Sequence, residues 1–346
     1  MTERSLGRPI VGGLSGTLAT LVFLAGCRAE PATIPVELEV PEWSGSWYKG
    51  NTHAHTTESD GDSSPEYVAT WYEEHDYDFL VLSDHNVFTD PAALAHLTDS
   101  TFLLIPGEEV TSSFGDAHVH VNGLNLPDVV EARTAETLVA TIQANVDAVR
   151  EVEGVPHINH PNFRWSFGAE ELRQVERYRL LEVWNGHPTV HNEGGGGAPS
   201  LEEIWDILLT GGKRIYGIAV DDAHHFQEEF SADRANPGRG WIAIRAEALD
   251  AATLMTALEN GHFYASTGVE LADVVVSPDR VSVHVAVDED FRYATTFIGA
   301  EGRVLAETVD NPAVFDLTED VGYVRAVVRN SRGDVAWTQP VFVRAR

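Results

Sequence analysis

The sequence predicts an α/β fold: a body of strands alternating with helices over residues 46–245 and a small all-β domain over 271–346, linked by a helix and junction at 246–270. Three observations predict it. About seven short apolar runs are separated by helical patterns, as expected of a parallel sheet with helical crossovers. These runs end in His53/His55, Asp84/His85, Glu108/Glu109, His118/His120, His160, Glu182/Asn185 and Asp222/His224. Near the end of the chain, alternation of period two replaces the helical period, most clearly in Val281-Ser282-Val283-His284-Val285. A closed parallel barrel brings all its strand ends to one face, so the polar ends would meet there. An open sheet would spread them over roughly 30 Å at about 4.8 Å per strand, and the chemistry therefore favours closure.

Taken in order, Trp47 and Tyr48 open a short buried strand that ends in His53-Ala54-His55. Histidines two positions apart on a strand share a face, so both imidazoles can reach one ion. The Asp60-Gly61-Asp62 stretch reads as loop, and Ser63 or Ser64 caps a helix that has Pro65 in its first turn and runs to Tyr77. Strands follow at 78–85, 101–110 and 117–124, with a short helix at 91–98. The longest helix covers 134–152. Strands at 155–161, 180–186 and 215–224 then alternate with helices at 168–178 and 199–210. Helix 249–260 leads into a turn-rich junction, Gly261 to Gly268, and further strands are expected at 281–287, 294–299, 303–308, 312–317, 322–329 and 335–344.

A hydrophobic fraction of 43% excludes general disorder, and a formal charge of −31 argues against a nucleic-acid partner. Arg4 and Arg8 precede an apolar stretch, Val11 to Ala25, that is shorter than the ~20 residues needed to span a bilayer. It reads as a secretory signal, residues 1–27. Leu24-Ala25-Gly26-Cys27 resembles the bacterial lipobox, which implies an exported lipoprotein anchored on the periplasmic or extracellular side, touching the membrane only through a lipid on Cys27. Residues 28–45, with Pro31, Pro35 and Pro41, read as a tether. Cys27 is the only cysteine, so no internal disulfide can form.

Of 15 histidines, only His262 and His284 lie outside residues 53–225, whereas incidental histidines would be scattered evenly. His75, His96 and His191 read as bystanders on helices or in loops. Imidazole and carboxylate together suit zinc, manganese or iron. A carboxylate between two nitrogen clusters can bridge two ions, and two ions about 3.5–4 Å apart activate water and steady both oxygens of a displacement at phosphorus. The sequence has no G-x-S-x-G elbow, and Gly194 to Gly197 lacks the Lys-Ser/Thr of a phosphate loop.

His53-Ala54-His55, Asp60-Gly61, Ser83-Asp84-His85, Gly107-Glu108-Glu109, His160-Pro161 and Asp222-Ala223-His224 resemble the successive motifs of the PHP (polymerase and histidinol phosphatase) metallohydrolases, over about 47–226. Later segments are similar, more loosely, to the secreted carbaryl-hydrolase-like (CehA/McbA) branch: Glu182 to Gly186, Ala257 to Gly268, Tyr323 to Arg325 and Ala336 to Pro340. The resemblance implies a distorted seven-stranded (β/α) barrel holding two or three divalent transition metal ions. One would take His53, His55, bridging Glu109 and Asp222. A second would take Glu109, His160 and either His118 or His120. A third would take Asp60, His85 and His224. Asp221 competes with Asp222, and Glu109 is preferred to Glu108. Asp60, Glu109, Asp222 and His224 are the expected catalytic groups. Arg164, through its planar fork, and His225 are the candidate contacts to substrate.

Three functions compete. The first is an exported metal-dependent phosphoesterase acting on a phosphorylated small molecule. The second keeps the metals but cleaves a carbamate, amide or carboxylic ester. The third is a non-catalytic, metal-holding surface lipoprotein, which would bind ions without hydrolysing anything.

Overall fold

The computed structural model describes residues 44–227, 230–317 and 321–343. The expected signal, Cys27 and all but the last two residues of the tether lie outside the described residues. Among the described residues, no helix is long and apolar enough to cross a membrane.

The chain begins with β1 (Ser46–Asn51) and then α1 (Pro65–Glu74), where the Ser64 hydroxyl accepts the Tyr67 amide and Pro65 fits the first turn. Fully buried β2 (Phe79–Val81) and then β3 (Leu103–Ile105) follow. β4 (Gly107–Phe114) and β5 (Ala117–Leu124) pair as an antiparallel hairpin that turns at Gly115, whose φ of 58° favours a residue without a side chain. Thr137 caps α2 (Leu138–Glu151), which buries Ile142, Val146 and Val149 along one stripe. Next come β6 (Val155–Ile158), α3 (Ala169–Leu172) and β7 (Leu180–Asn185). α4 (Leu201–Thr210) starts at a Ser200/Glu203 capping box, and β8 (Tyr216–Val220) follows it.

The rest of the chain is β9 (Trp241–Ala246), α5 (Ala251–Glu259), β10 (Phe263–Ser266), β11 (Leu271–Ser277), β12 (Arg280–Val285), β13 (Tyr293–Gly299), β14 (Arg303–Thr308), β15 (Ala313–Asp316), β16 (Gly322–Asn330), β17 (Val335–Thr338) and β18 (Val341–Val343). Three of these strands were not expected from the pattern. The junction after Gly261 contains β10, β9 pairs antiparallel with the full length of β1 up to Gly50, and β11 pairs antiparallel with β12.

The expected closed seven-stranded barrel is corrected by the pairing. One five-stranded sheet runs β4-β5-β6-β7-β8, and a ten-stranded sheet runs β14-β13-β16-β17-β10-β9-β1-β2-β3 with β18 on β16. A small sheet, β11-β12-β15, completes the set. The two large sheets meet through isolated bridges, Ala54 with Ala223 and His85 with Glu109. Ala54, Ala223 and His85 lie beyond the ends of their strands and only Glu109 is on one, so only a few amides cross. His55 N donates to Ala223 O, Asp222 N to His53 O, and Asn86 N to Glu109 O. Pairing is also mixed rather than parallel throughout, because the Gly115 turn returns β5 beside β4 without a crossover helix. Strands from both sides of residue 270 share the ten-stranded sheet.

Candidate metal centre

The first site segment leaves β1 and is pinned before it carries any chemistry. Asp84 accepts from the Thr56 amide and hydroxyl, each at 2.8 Å, and from the Ser59 hydroxyl at 2.6 Å. This folds residues 55–60 back toward the end of β2. Gly61 is required here, since a Cβ would lie 2.6 Å from the His55 carbonyl oxygen. Asp62 then accepts from the Phe226 amide, tying the turn to the loop after β8.

On the hairpin, Glu109 and Glu108 point to opposite faces, as successive strand residues must. Glu109 turns inward and is fully buried. Its carboxylate lies 3.3 Å from His53 Nε2, 3.3 Å from His55 Nε2, 2.9 Å from His85 Nδ1, 2.8 Å from His120 Nδ1 and 3.5 Å from His160 Nε2. Asp222 closes the other side, 3.3 Å from His53 Nε2, 3.2 Å from His55 Nε2 and 3.8 Å from His160 Nε2. Its φ is 50°, a strained value for a residue with a side chain. The third group is Asp60 with His55, His85 and His224, at 3.5, 3.7 and 3.2 Å. Asp60 is the exposed member of the set.

Hydrogen bonds from behind orient these groups. Glu182 lies 2.7 Å from His53 Nδ1 and accepts from the His160 amide, while Asn185 donates to both Glu182 and Asp222. Asn159 donates to Glu109 at 2.7 Å. Asp221, next to Asp222, is occupied elsewhere, accepting from the Tyr72 hydroxyl and the amides of Gly238, Arg239 and Gly240. The ligand-grade carboxylate after β8 is thus Asp222.

Burial alone would keep Glu109 protonated, but His120, His53 and His85 outweigh it and hold its carboxyl well below the usual range. Asp222 is likewise held low, against its burial, by His53, His55 and His224. Burial opposes protonation of His53 and His85, yet the carboxylates prevail; Asp222 leads for His53, and Glu109 lifts His85 to about 9. His55 goes the other way, to about 4, through burial and the neighbouring His224. Such a field favours positive charge in a buried space. Glu109 Oε2 is buried without a hydrogen-bond partner among the described residues, and His53 Nε2, His55 Nε2 and His85 Nδ1 lie within 3.3 Å of it. A buried carboxylate oxygen left so is costly unless a cation or proton sits beside it, so the donor set fits metal ions.

Four combinations of donors lie close enough to hold an ion: His53, His55 and Glu109; His53, His160 and Asp222; His85, Glu109 and His120; and His55, Asp60, His85 and His224. His118 belongs to none of them. It shares a face with His120 but pairs with Ser113, two residues nearer the hairpin tip, and its ring packs 5.2 Å from Phe163. Arg164 stands at the same rim, its guanidinium 5.6 Å from the Phe163 ring centre, with φ positive at both Arg164 and Trp165. His225 joins no donor group; its ring lies 6.4 Å from that of His224. One group was missed in the sequence. His187 lies with its ring 5.3 Å from that of His224, after the Asn185-Gly186 strand end that was itself legible.

No family model matches the sequence, and no curated protein matches it. The fold itself is shared. A solved two-domain protein from Bacteroides vulgatus, described as containing a predicted PHP-like metal-dependent phosphoesterase, superposes with a TM-score of 0.51 at 16% identity, over 85% of this chain and 93% of that one. Weaker similarity extends to a candidate metal-dependent phosphoesterase from Bifidobacterium adolescentis (TM-score 0.40, 15% identity, 56% of this chain and 91% of that). It also extends to a lesion-specific endonuclease from Pyrococcus furiosus (TM-score 0.37, 14% identity, 62% of this chain and 56% of that). The last two are too distant to define a shared fold.

Proposed function

We propose that this chain is an exported metal-dependent phosphoesterase that uses two or three divalent ions, zinc, manganese or iron, to hydrolyse a phosphorylated small molecule. One observation carries the reading: a single buried carboxylate, Glu109, lies within 3.5 Å of five imidazoles drawn from four separate segments of the chain. Such a carboxylate suits a bridge between ions. When bound, the ions would supply a water-derived nucleophile at neutral pH and neutralise charge on the phosphoryl oxygens. Of the chain's own groups, His53, His55, Glu109 and Asp222 would hold one ion, Glu109, His120 and His160 a second, and Asp60, His85 and His224 a third at the open side. Glu182, Asn185 and Asn159 would fix ring and carboxylate orientation, a contribution commonly worth 10–100-fold in affinity or activity. Arg164 would meet the anionic substrate at the rim. Export through the first 27 residues, with a lipid on Cys27, and membership of the carbaryl-hydrolase-like branch belong to the same reading.

The mature chain should hydrolyse an aryl phosphate mono- or diester, lose the activity to a chelator and regain it with added metal. Glu109→Gln should lose bound metal and at least about a hundredfold in rate, on the scale of losing a bridging group. An aryl carbamate assayed in parallel decides the bond. Turnover of the carbamate with none of either phosphoester would overturn the proposal.

A further inference from the structure

The segment that leaves β7 carries an imidazole that none of the metal groups uses. The Thr189 amide donates to His187 Nδ1 at 3.2 Å, and the Thr189 hydroxyl lies 2.9 Å from the same nitrogen. An N–H facing Nδ1 requires a lone pair there. The ring is therefore neutral in this arrangement, and its one proton sits on Nε2. Nε2 makes no hydrogen bond among the described residues.

The placement is firm. The His187 amide donates to Asn185 Oδ1 at 2.8 Å, and the Asn185 amide group donates in turn to Asp222 and Glu182. The ring stands nearly perpendicular to that of His224, at an interplanar angle of 73°. His224 belongs to the Asp60 group at the open side of the centre, where a substrate must enter.

We propose that His187 is a further catalytic residue, a fixed neutral N–H donor from Nε2 to a phosphoryl oxygen of the bound substrate. This rests on the phosphoesterase reading above. A neutral imidazole is a poor proton donor but a good electrophile, and a preorganised donor aimed at developing negative charge is typically worth 10²–10³ in rate. The role is therefore charge stabilisation, not proton delivery to the leaving group.

The test compares the metal-loaded parent with His187→Ala and His187→Gln. Four quantities are measured: metal content, affinity for inorganic phosphate by calorimetry, and kcat and KM on an aryl phosphate. His187→Ala should keep its metal stoichiometry, lose about a hundredfold in kcat with a smaller change in KM, and bind phosphate at least several-fold more weakly. The side-chain amide of His187→Gln should restore part of both. Loss of metal in His187→Ala would make His187 a ligand, and rates within twofold of the parent would remove it from the chemistry; either overturns the inference. If the parent hydrolyses no phosphoester, the phosphoesterase reading fails separately. Phosphate affinity then decides: weaker binding in His187→Ala upholds the donor role, and unchanged binding overturns it.

Discussion

Two adjacent glutamates show how much one residue's register decides. Glu109 faces five imidazoles, whereas Glu108 is buried on the far face of β4, where its Oε1 accepts from the Val130 amide at 3.2 Å and its Oε2 has no partner among the described residues. Burial pushes the Glu108 carboxyl up to about 7, against the pull of the Val130 amide and with help from Glu131 and Asp128. In an unfolded chain a glutamate titrates near 4.3. The folded state thus holds the proton more tightly; the stabilisation is complete below about pH 4.3 and is lost as pH rises through about 7. Glu108→Gln removes this titration, so its melting temperature should gain on the parent between pH 5 and pH 8. An unchanging gap across that range would refute the assignment. The residues that converge were largely legible in the sequence, because H-x-H, D-H and D-A-H at strand ends are local patterns. His187 was not, since its proton is placed by a loop amide that no spacing announces.

Among the elements, the hairpin of β4 and β5 was the least legible. Sequence marks His118 and His120 as sharing a face, but not how far along the strand the centre lies. The pairing of Thr111 with His120 and of Ser113 with His118 sets that distance; two strand residues are about 6.8 Å apart. His120→Ala should therefore lower metal content and abolish most activity, while His118→Ala should keep its metal and lose activity mainly through KM. Equal metal loss in the two variants would contradict the hairpin geometry. The helices were read more faithfully, because their caps are written in neighbouring residues, as at Ser64, Ser200 and Asp250. Strands β9, β10 and β11 were missed; β9 and β10 pair with each other but are placed in the sheet by partners far away in sequence, β1 and β17.

In the whole molecule, the later strands do not form a separate appendage to the body. Arg325 on β16 is fully buried and makes a two-pronged contact with Asp206 of α4, at 2.8 and 2.7 Å, with a further hydrogen bond to Glu202. The Tyr323 hydroxyl donates to the same Asp206 at 2.7 Å. Removing one partner of such a pair strands a buried charge. Arg325→Ala should cost about 3–5 kcal/mol in urea unfolding, and a loss below about 1 kcal/mol would show that the contact does not join the two parts. The α/β class was legible from alternation, but the absence of closure was not, because sheet edges that stop short of each other leave no trace in periodicity.

Those unclosed edges have a consequence for the ions proposed above. His53, His55 and His85 follow strands of the ten-stranded sheet, while Glu109 and His120 lie on strands of the five-stranded one and His160, Asp222 and His224 follow its strands. Where backbone ladders stop, ions coordinated from both sheets would act as rivets across the gap. Stripping them should let the seam at Ala54/Ala223 and His85/Glu109 breathe while each sheet stays intact, so amide exchange would quicken there first.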